Sequence, residues 1–236
     1  MIDTHCHLVP GIDDGPKTPR EAVDLARSLV ADGIERVVCT PHFSSFFPTE
    51  HEDAARRLGE LQGELETLGL GATLAAEVSP GHAVSEPVEE LAARSIAGRY
   101  VVVEALHDTP AAFFEALFTR LEPAGLLPVV AHPERCRALQ RGTSLVDWIR
   151  RQGGVLQVVA PSLIGRFGED AAATAWKLVD TGRASLLASD AHGTKRRSVR
   201  LREAADLIRR RLGDSFVADL TEHQPALVLA GEAPDR

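Results

Sequence analysis

Residues 99–105 have the sequence RYVVVEA, in which the apolar run 100–103 leads directly to Glu104. Similar runs recur along the chain, with amphipathic helical segments between them. Each run is apolar throughout rather than alternating, which is typical of parallel strands buried on both faces. Short strands interleaved with helices predict an α/β architecture. The seven predicted strands lie within residues 1–5, 34–40, 72–78, 99–105, 126–132, 155–160 and 184–192.

No linker, charge block or change of composition divides the sequence, so we predict a single domain spanning residues 1–236. The alternation favours a closed or nearly closed barrel. An open doubly wound sheet is the alternative, because periodicity alone does not separate the two. The tail, residues 222–236, is expected to provide a last turn and a frayed end.

The composition is that of an ordinary globular protein, 44% hydrophobic and 25% charged, with a net charge of -8. This charge argues against a general nucleic-acid or anionic-membrane binder. No apolar run approaches the ~20 residues of a membrane helix, and no secretion signal is recognised. Three scattered cysteines are too few for a disulfide scaffold. We therefore expect a cytoplasmic protein that neither binds nucleic acid nor inserts into a membrane.

Histidines and carboxylates stand at or just beyond the carboxyl ends of the predicted strands. In α/β barrels the active site forms at that end, so residues distant in sequence are expected to converge there. A carboxylate such as Glu104, directly after an apolar strand, needs a partner because an unpaired buried charge is costly. This mixture of imidazole and carboxylate suits Mn, Fe or Zn. The candidate ligands are His5, His7, Asp14, His42, Glu77, Glu104, His132, Asp190 and His192.

The first fifteen residues, MIDTHCHLVPGIDDG, carry three of these candidates. His5 and His7 are two residues apart in an extended strand, so both can face one metal. Cys6 between them is expected to point away and pack. Asp14 lies on the following loop, where glycines and prolines allow the chain to fold back over the site.

Five short motifs occur in order along the chain: DTHCH (3–7), DDGPKT (13–18), TPH (40–42), HPER (132–135) and SDAH (189–192). Together they resemble the PHP (polymerase and histidinol phosphatase) superfamily. With GRFG (165–168) before a helix, they are similar to its bacterial protein-tyrosine phosphatases linked to capsule and exopolysaccharide synthesis. The resemblance, from Met1 to about Ile208, implies a distorted seven-stranded (β/α) TIM-like barrel. It also implies three divalent metal ions, usually manganese, with iron or zinc as alternatives.

The resemblance further implies a role for each candidate residue. Arg135 in HPER and Arg197 in TKRR would bind phosphate, with Arg196 in place of Arg197 if the register differs by one. Asp13 receives no metal, because adjacent residues cannot easily face the same way. The implied ligand sets are His5, His7, Glu77 and Asp190; Glu77, Glu104 and His132; and Asp14, His42 and His192.

The implied activity is hydrolysis of phosphotyrosine by attack of metal-bound hydroxide. The substrate would be a phosphotyrosine protein, and regulation of capsular or exopolysaccharide synthesis would act through a bacterial tyrosine kinase. The phenolate leaving group, with a pKa of about 10, depends less on a general acid than an alkoxide does. The arginine-rich stretch 195–211 is expected to be mainly a solvated helix face whose first residues help guide an acidic substrate.

Other enzyme classes fit the sequence less well. A small-molecule phosphatase of the histidinol-phosphatase type would use similar metals. A PHP-type nuclease is disfavoured by the net charge of -8, and a metal-dependent amidohydrolase by Glu104, where that class typically has a lysine. A cysteine-dependent phosphatase needs an arginine six residues after its cysteine. Ile12, Ser45 and Gly142 stand at those positions after Cys6, Cys39 and Cys136.

Overall fold

The computed structural model describes residues 1–234 as nine short strands in two parallel sheets, surrounded by helices. The strands are β1 (Ile2–Cys6), β2 (Arg36–Cys39), β3 (His42–Phe43), β4 (Gly71–Leu74), β5 (Glu77–Val78), β6 (Tyr100–Glu104), β7 (Leu127–Ala131), β8 (Val155–Val159) and β9 (Leu186–Ala188). The helices are α1 (Pro19–Ala31), α2 (His51–Leu68), α3 (Pro80–Ser85), α4 (Val88–Ala93), α5 (Ala111–Leu121), α6 (Arg137–Gln140), α7 (Ser144–Arg151), α8 (Ala160–Leu163), α9 (Glu169–Asp180), α10 (Leu201–Leu212), α11 (Asp214–Ala218) and α12 (Gln224–Leu229). Short 3₁₀ turns cover Glu122–Ala124 and Pro133–Arg135, and a π-helical turn covers Asp219–His223.

The strand order is β1-β2-β4 in one sheet and β3-β5-β6-β7-β8-β9 in the other, and every ladder is parallel. The predicted α/β architecture is therefore confirmed. The predicted single seven-stranded barrel is not: within residues 1–234 the ladders form two sheets, because two of the predicted strands are interrupted. Pro41 has no N–H for the ladder, and the Ala76 N–H donates to the Arg94 carbonyl at 2.9 Å instead of to a strand.

Helix α1 shows how directly local sequence sets the elements. Thr18 caps it by accepting from the Glu21 N–H, and the Glu21 carboxylate accepts from the Thr18 N–H, while Pro19 occupies the first turn. Gly33, with φ of 89°, follows the helix and lets the chain reverse. The buried face of the helix is formed by Ala22, Val23, Leu25, Ala26 and Leu29.

An apolar layer fills the space between the strands before their carboxyl ends. It contains Val38, Val102, Val129, Val155 and Leu186, with Val228 of α12 packed against them. Side chains alternate along a strand, so the face of β6 that presents Val102 to this layer presents Glu104 two residues later. The apolar layer therefore leads directly to the polar ends of the strands.

The tail packs against the fold more extensively than predicted. Instead of a single turn it forms the helix Gln224–Leu229, and Val228 is fully buried. The Tyr100 hydroxyl donates to the Glu232 carbonyl at 2.7 Å, and Arg99 donates to the Gly231 carbonyl at 2.8 Å. The expected frayed end is thus wrong as far as Glu232, because these side chains bind the tail; residues 235–236 lie outside the described residues.

Helix length and composition also bear on the membrane prediction. Within residues 1–234, none of the helices combines the length and the apolar character needed to cross a bilayer.

Candidate metal centre

All nine candidate ligands lie in one cluster at the carboxyl ends of the strands. Their ligand atoms form three overlapping groups, each with all its atoms within 4.8 Å of one another. His132 joins the cluster through Glu77, with 2.8 Å between its Nε2 and the Glu77 Oε1. The three groups are His7, Asp14, His42 and His192; His5, His7 and Asp190; and His42, Glu77 and Glu104.

Glu77 is the hub of the cluster. Its Oε2 lies 3.4 Å from Nε2 of both His5 and His7 and 3.0 Å from Nδ1 of His42. Burial alone would raise the pKa of this carboxyl, but the surrounding His5, His132 and His42 hold it well below its usual value. Glu77 is thus an ionised carboxylate in contact with four imidazoles, as a bridging ligand would be.

Asp14 anchors the more exposed side of the cluster. Its Oδ1 lies 3.1 Å from Nε2 of His192 and 3.4 Å from Nε2 of His42. The His7 ring stacks on the His192 ring with 3.7 Å between centroids. The three groups differ from the implied sets. His7 stands with Asp14 as well as with His5 and Asp190, and the group of His5 and Asp190 does not include Glu77. His42 stands with Glu77 and Glu104, where the implied set has His132.

The donor set fits divalent metal ions. Two buried ligand atoms, Glu77 Oε2 and His192 Nε2, lie 3.0–3.4 Å from imidazole or carboxylate atoms but are not oriented to form a hydrogen bond among the described residues. Burial and the adjacent Glu77 carboxylate raise the pKa of Glu104. A cation between Glu77 and Glu104 would allow both to ionise, whereas two bare carboxylates there repel each other.

Backbone strain is concentrated in the same region. Positive φ angles occur at His132 (37°), Asp190 (52°) and Arg197 (51°), all of them predicted site residues. Such conformations cost about 1–2 kcal/mol for a residue with a Cβ. Hydrogen bonds support them: the His132 N–H donates to the Gln157 carbonyl, and the Asp190 N–H donates to the His5 carbonyl, both at 2.9 Å. The fold therefore holds these side chains in orientations that relaxed backbone would not provide.

Two arginines converge on the buried carboxylate of Asp190. Arg197 donates from Nη2 to both carboxylate oxygens at 2.7 Å, and its Nη1 lies 3.4 Å from Asp14. Arg135 Nη1 lies 3.7 Å from Asp190 Oδ2, and its guanidinium lies 4.4 Å from the centre of the Phe167 ring. Of the two arginines left open by the sequence, the structure places Arg197 in the cluster, while Arg196 is exposed.

Sequence reasoning missed two residues that orient the ligands. Asp13 accepts from His7 Nδ1 at 2.7 Å and from the His42 N–H at 3.0 Å. Gln157 Oε1 lies 2.8 Å from His5 Nδ1. Each fixes the ring so that Nε2 faces the centre, a role that supports many histidine ligands. The signal for Gln157 was a lone amide inside the apolar strand VLQVV; for Asp13 it was only the proximity to Asp14.

Asp13→Ala is expected to weaken metal binding by roughly 10- to 100-fold, because His7 loses the acceptor that fixes its ring. Titration of the metal-free variant with Mn²⁺ by calorimetry measures this. Asp24→Ala, which removes an exposed carboxylate paired with Arg27 on α1, is the matched control and should bind as the parent does. Equal affinity in the Asp13 variant and the parent would show that the contact is dispensable.

Metal uptake is expected to release protons. Burial alone would lower the pKa of His5, but Glu77 and Asp190 raise it to about 9. Burial would also lower the pKa of His42, but Asp14 and Glu77 raise it to about 11. In the metal-free protein both rings are therefore imidazolium ions at neutral pH, and a metal ion must displace a proton from each.

Affinity for Mn²⁺ should therefore rise with pH throughout the range below about 9, because binding displaces protons from His5 and His42. Calorimetry in two buffers of different ionisation enthalpy counts the protons. An affinity that does not change between about pH 6 and pH 8 would contradict the prediction.

The three cysteines are unsuited to nucleophilic chemistry. Cys6, Cys39 and Cys136 are buried and free. Burial raises the pKa of all three thiols, to about 12 for Cys39. Since the thiolate is the nucleophile, the geometry agrees with the absence of a cysteine–arginine motif in the sequence.

Parallel strands that deliver histidines, carboxylates and two arginines to one end define a metal-binding α/β protein of the hydrolase kind. The chain belongs to the capsular polysaccharide synthesis CpsB/CapC family, whose family model it matches over residues 1–230. The resemblance drawn from the motifs is therefore confirmed.

Related proteins carry a consistent description. The tyrosine-protein phosphatase YwqE of Bacillus subtilis is 31% identical over 235 residues, which cover 97% of this chain and 91% of that protein. The tyrosine-protein phosphatase CpsB of Streptococcus pneumoniae is 24% identical over 241 residues, which cover 97% of this chain and 98% of that protein.

Solved structures extend the comparison to the fold. A structure from work on YwqE of Bacillus subtilis and CpsB of Streptococcus pneumoniae, described as unique metal-dependent tyrosine phosphatases, superposes with a TM-score of 0.86 at 30% identity. It covers 100% of this chain and 97% of that chain. A β-aspartyl dipeptidase from Fervidobacterium islandicum AW-1 superposes with a TM-score of 0.57 at 15% identity, covering 97% of this chain and 74% of that chain, which shows a shared fold alone.

Proposed function

We propose that the protein is a metal-dependent protein-tyrosine phosphatase, a phosphoric monoester hydrolase. The observation that carries this proposal is the meeting of two arginines with the histidine–carboxylate cluster at Asp190, 2.7 Å from Arg197 and 3.7 Å from Arg135. Cationic forks beside a metal centre suit a phosphate monoester, because they can donate paired hydrogen bonds to its oxygens. Relatives that are named tyrosine-protein phosphatases over nearly the whole chain support the substrate class.

The nine ligands would hold three divalent ions, manganese in our proposal, with iron or zinc as alternatives. Four of the ligands are carboxylates, so three divalent ions leave the centre at about +2, which matches a phosphate dianion. When bound, such ions supply Lewis acidity that polarises phosphoryl oxygens and lowers the pKa of water. The three overlapping groups of ligand atoms support this number of ions.

The protein's own residues divide the remaining work. Asp13 and Gln157 fix the rings of His7 and His5, so that each presents Nε2 to the centre. Arg135 and Arg197 would donate to the phosphoryl oxygens and stabilise the charge that develops on them in the transition state. The Arg135 guanidinium carbon lies over the Phe167 ring, 4.4 Å from its centre, and this contact limits the motion of the arginine.

We infer that the strands form a distorted seven-stranded (β/α) barrel and that residues 1–236 act as one domain of the PHP type. Support comes from the closing contacts between the two sheets: Cys6 of β1 bridges to Ala191, and the His7 N–H donates to the Ala191 carbonyl at 2.9 Å. Each of the interrupted runs, 36–43 and 71–78, contributes one strand to the first sheet and another strand to the second. The family match over residues 1–230 supports the single domain.

The biological setting is also a proposal. A family described by capsular polysaccharide synthesis supports a role in controlling capsule or exopolysaccharide production. The substrate would then be a phosphotyrosine protein, a bacterial tyrosine kinase, and the reaction would take place in the cytoplasm.

The test is a substrate panel with metal-depleted and Mn-reloaded protein. Phosphotyrosine peptides, histidinol phosphate and single-stranded oligonucleotides are compared by kcat/KM, and metal content is measured for each preparation. We expect Mn-dependent release of phosphate, with phosphotyrosine peptides the preferred substrates. Full activity after verified metal removal would overturn the mechanism, and preference for histidinol phosphate would overturn the substrate class.

A further inference from the structure

A cavity of about 240 Å³ lies beside the candidate metal centre, and its lining carries five cationic side chains and no carboxylate. We propose that this cavity, called here the basic cavity, binds an anionic group of the substrate next to the phosphotyrosine. The inference rests on the proposed phosphatase activity and names a feature that its substrate should have. The basic cavity is lined chiefly by Arg166, Phe167, Lys195, Arg196, Arg197 and Arg200.

Three of these cations have no counter-ion. Within residues 1–234, the side chains of Arg166, Lys195 and Arg196 form neither an ion pair nor a hydrogen bond, and all three residues are exposed. Arg200, by contrast, pairs with Glu203 at 2.9 Å. The chain as a whole has 34 acidic and 26 basic residues, so three adjacent cations that lack an ion-pair partner depart from its composition.

The basic cavity adjoins the phosphate-binding position. Arg197 lines it and also donates to Asp190 in the metal cluster. Phe167 lines both the basic cavity and a cavity of about 410 Å³ that includes Glu104, His132 and Arg135. The two cavities therefore share Phe167 as a common wall, and a peptide crossing this ring would contact both.

A neighbouring residue of the same peptide would reach the basic cavity, because Arg197 belongs both to the cavity lining and to the metal cluster. An extended chain advances about 3.3 Å per residue, so side chains one or two positions from the phosphotyrosine reach about one side-chain length beyond the metal centre. Arginine forks bind carboxylate and phosphate oxygens in the same bidentate manner. The anionic group is thus either an acidic side chain or a second phosphorylated side chain.

The strength of the interaction follows from its exposure. Ion pairs in contact with solvent contribute little individually and are screened by salt. With two or three pairs, the acidic substrate should gain about tenfold in kcat/KM at low ionic strength, mainly through KM. Small aryl phosphates, which have no second anionic group, should gain nothing.

The experiment compares Mn-loaded parent protein with Arg166→Gln/Lys195→Gln. The substrates are p-nitrophenyl phosphate and peptides of one sequence in which the positions flanking phosphotyrosine carry glutamine, glutamate or a second phosphotyrosine. Arg151→Gln/Arg210→Gln is the matched control, because it removes two exposed cations at the end of α7 and near the end of α10. Binding of non-hydrolysable phosphonate analogues of the same peptides, by fluorescence anisotropy, gives a readout independent of turnover.

We expect the Arg166/Lys195 variant to lose the preference for anionic flanks in both kcat/KM and binding, and to keep parental activity on p-nitrophenyl phosphate. A stronger preference for glutamate identifies a carboxylate as the ligand, and one for the second phosphotyrosine identifies a phosphate. Equal use of all peptides by the parent, or an equal loss in the Arg151/Arg210 control, would overturn the basic cavity as a subsite. Failure of the parent to hydrolyse p-nitrophenyl phosphate and every peptide would instead overturn the proposed phosphatase activity.

Discussion

Glu77→Gln is expected to lose metal and to reduce kcat by roughly 1000-fold, since the metal ions contribute several kcal/mol to the transition state. The substitution keeps the size of the side chain and removes only its charge. That charge is within 3.4 Å of nitrogen atoms in His5, His7 and His42, and His132 Nε2 lies 2.8 Å from the other oxygen, so Glu77 contacts four of the five candidate histidines. Metal analysis of the purified variant and steady-state kinetics on a phosphotyrosine peptide measure the two effects together.

Glu64→Gln is the control for this experiment, because Glu64 is exposed on α2 and far from the strand ends. It should keep parental metal content and turnover. A Glu77 variant that folds, as judged by circular dichroism, and retains both its metal and its kcat would show that Glu77 is not the bridge between the ligand groups.

The position of Glu77 could be predicted from the sequence for a physical reason. A charged residue that ends an apolar strand must be compensated, and parallel strands bring all such ends to one side. The same argument locates Glu104 and His132, whose strands β6 and β7 are paired along their whole length. Helix α1 could be predicted equally well, because the cap at Thr18 and the stop at Gly33 are local signals.

Features that depend on the assembled fold could not be predicted from the sequence. The contact between Gln157 and His5 joins residues 152 positions apart, and nothing near either residue identifies the other. The break in the predicted strand 72–78 depends on the Arg94 carbonyl, which accepts the Ala76 N–H. The burial of Val228 depends on its packing against the apolar layer between the strands, which exists only in the assembled fold. Each is a long-range contact, whereas periodicity reports only on local structure.

Substitutions of Arg135 and His132 in the HPER motif should impair the protein in different ways. Arg135 is bound through its guanidinium to the Phe167 ring and lies 3.7 Å from Asp190, whereas His132 contacts Glu77 at 2.8 Å. Arg135→Ala should therefore keep its metal and lose roughly 10- to 1000-fold in kcat/KM, as charge-assisted hydrogen bonds worth about 1.5–4 kcal/mol disappear. His132→Ala should lose part of its metal and most of its kcat.

Two further variants sharpen the contrast. Arg135→Lys keeps the charge but not the planar fork, so it should recover only part of the loss if bidentate donation is what matters. Arg151→Ala removes an exposed arginine at the end of α7 and should behave as the parent does. All four variants are assayed for metal content and for turnover of one phosphotyrosine peptide. These two measurements distinguish a metal ligand from a residue that binds phosphate. Loss of metal from Arg135→Ala, or parental kcat/KM in that variant, would remove Arg135 from the phosphate site and leave Arg197 as its arginine.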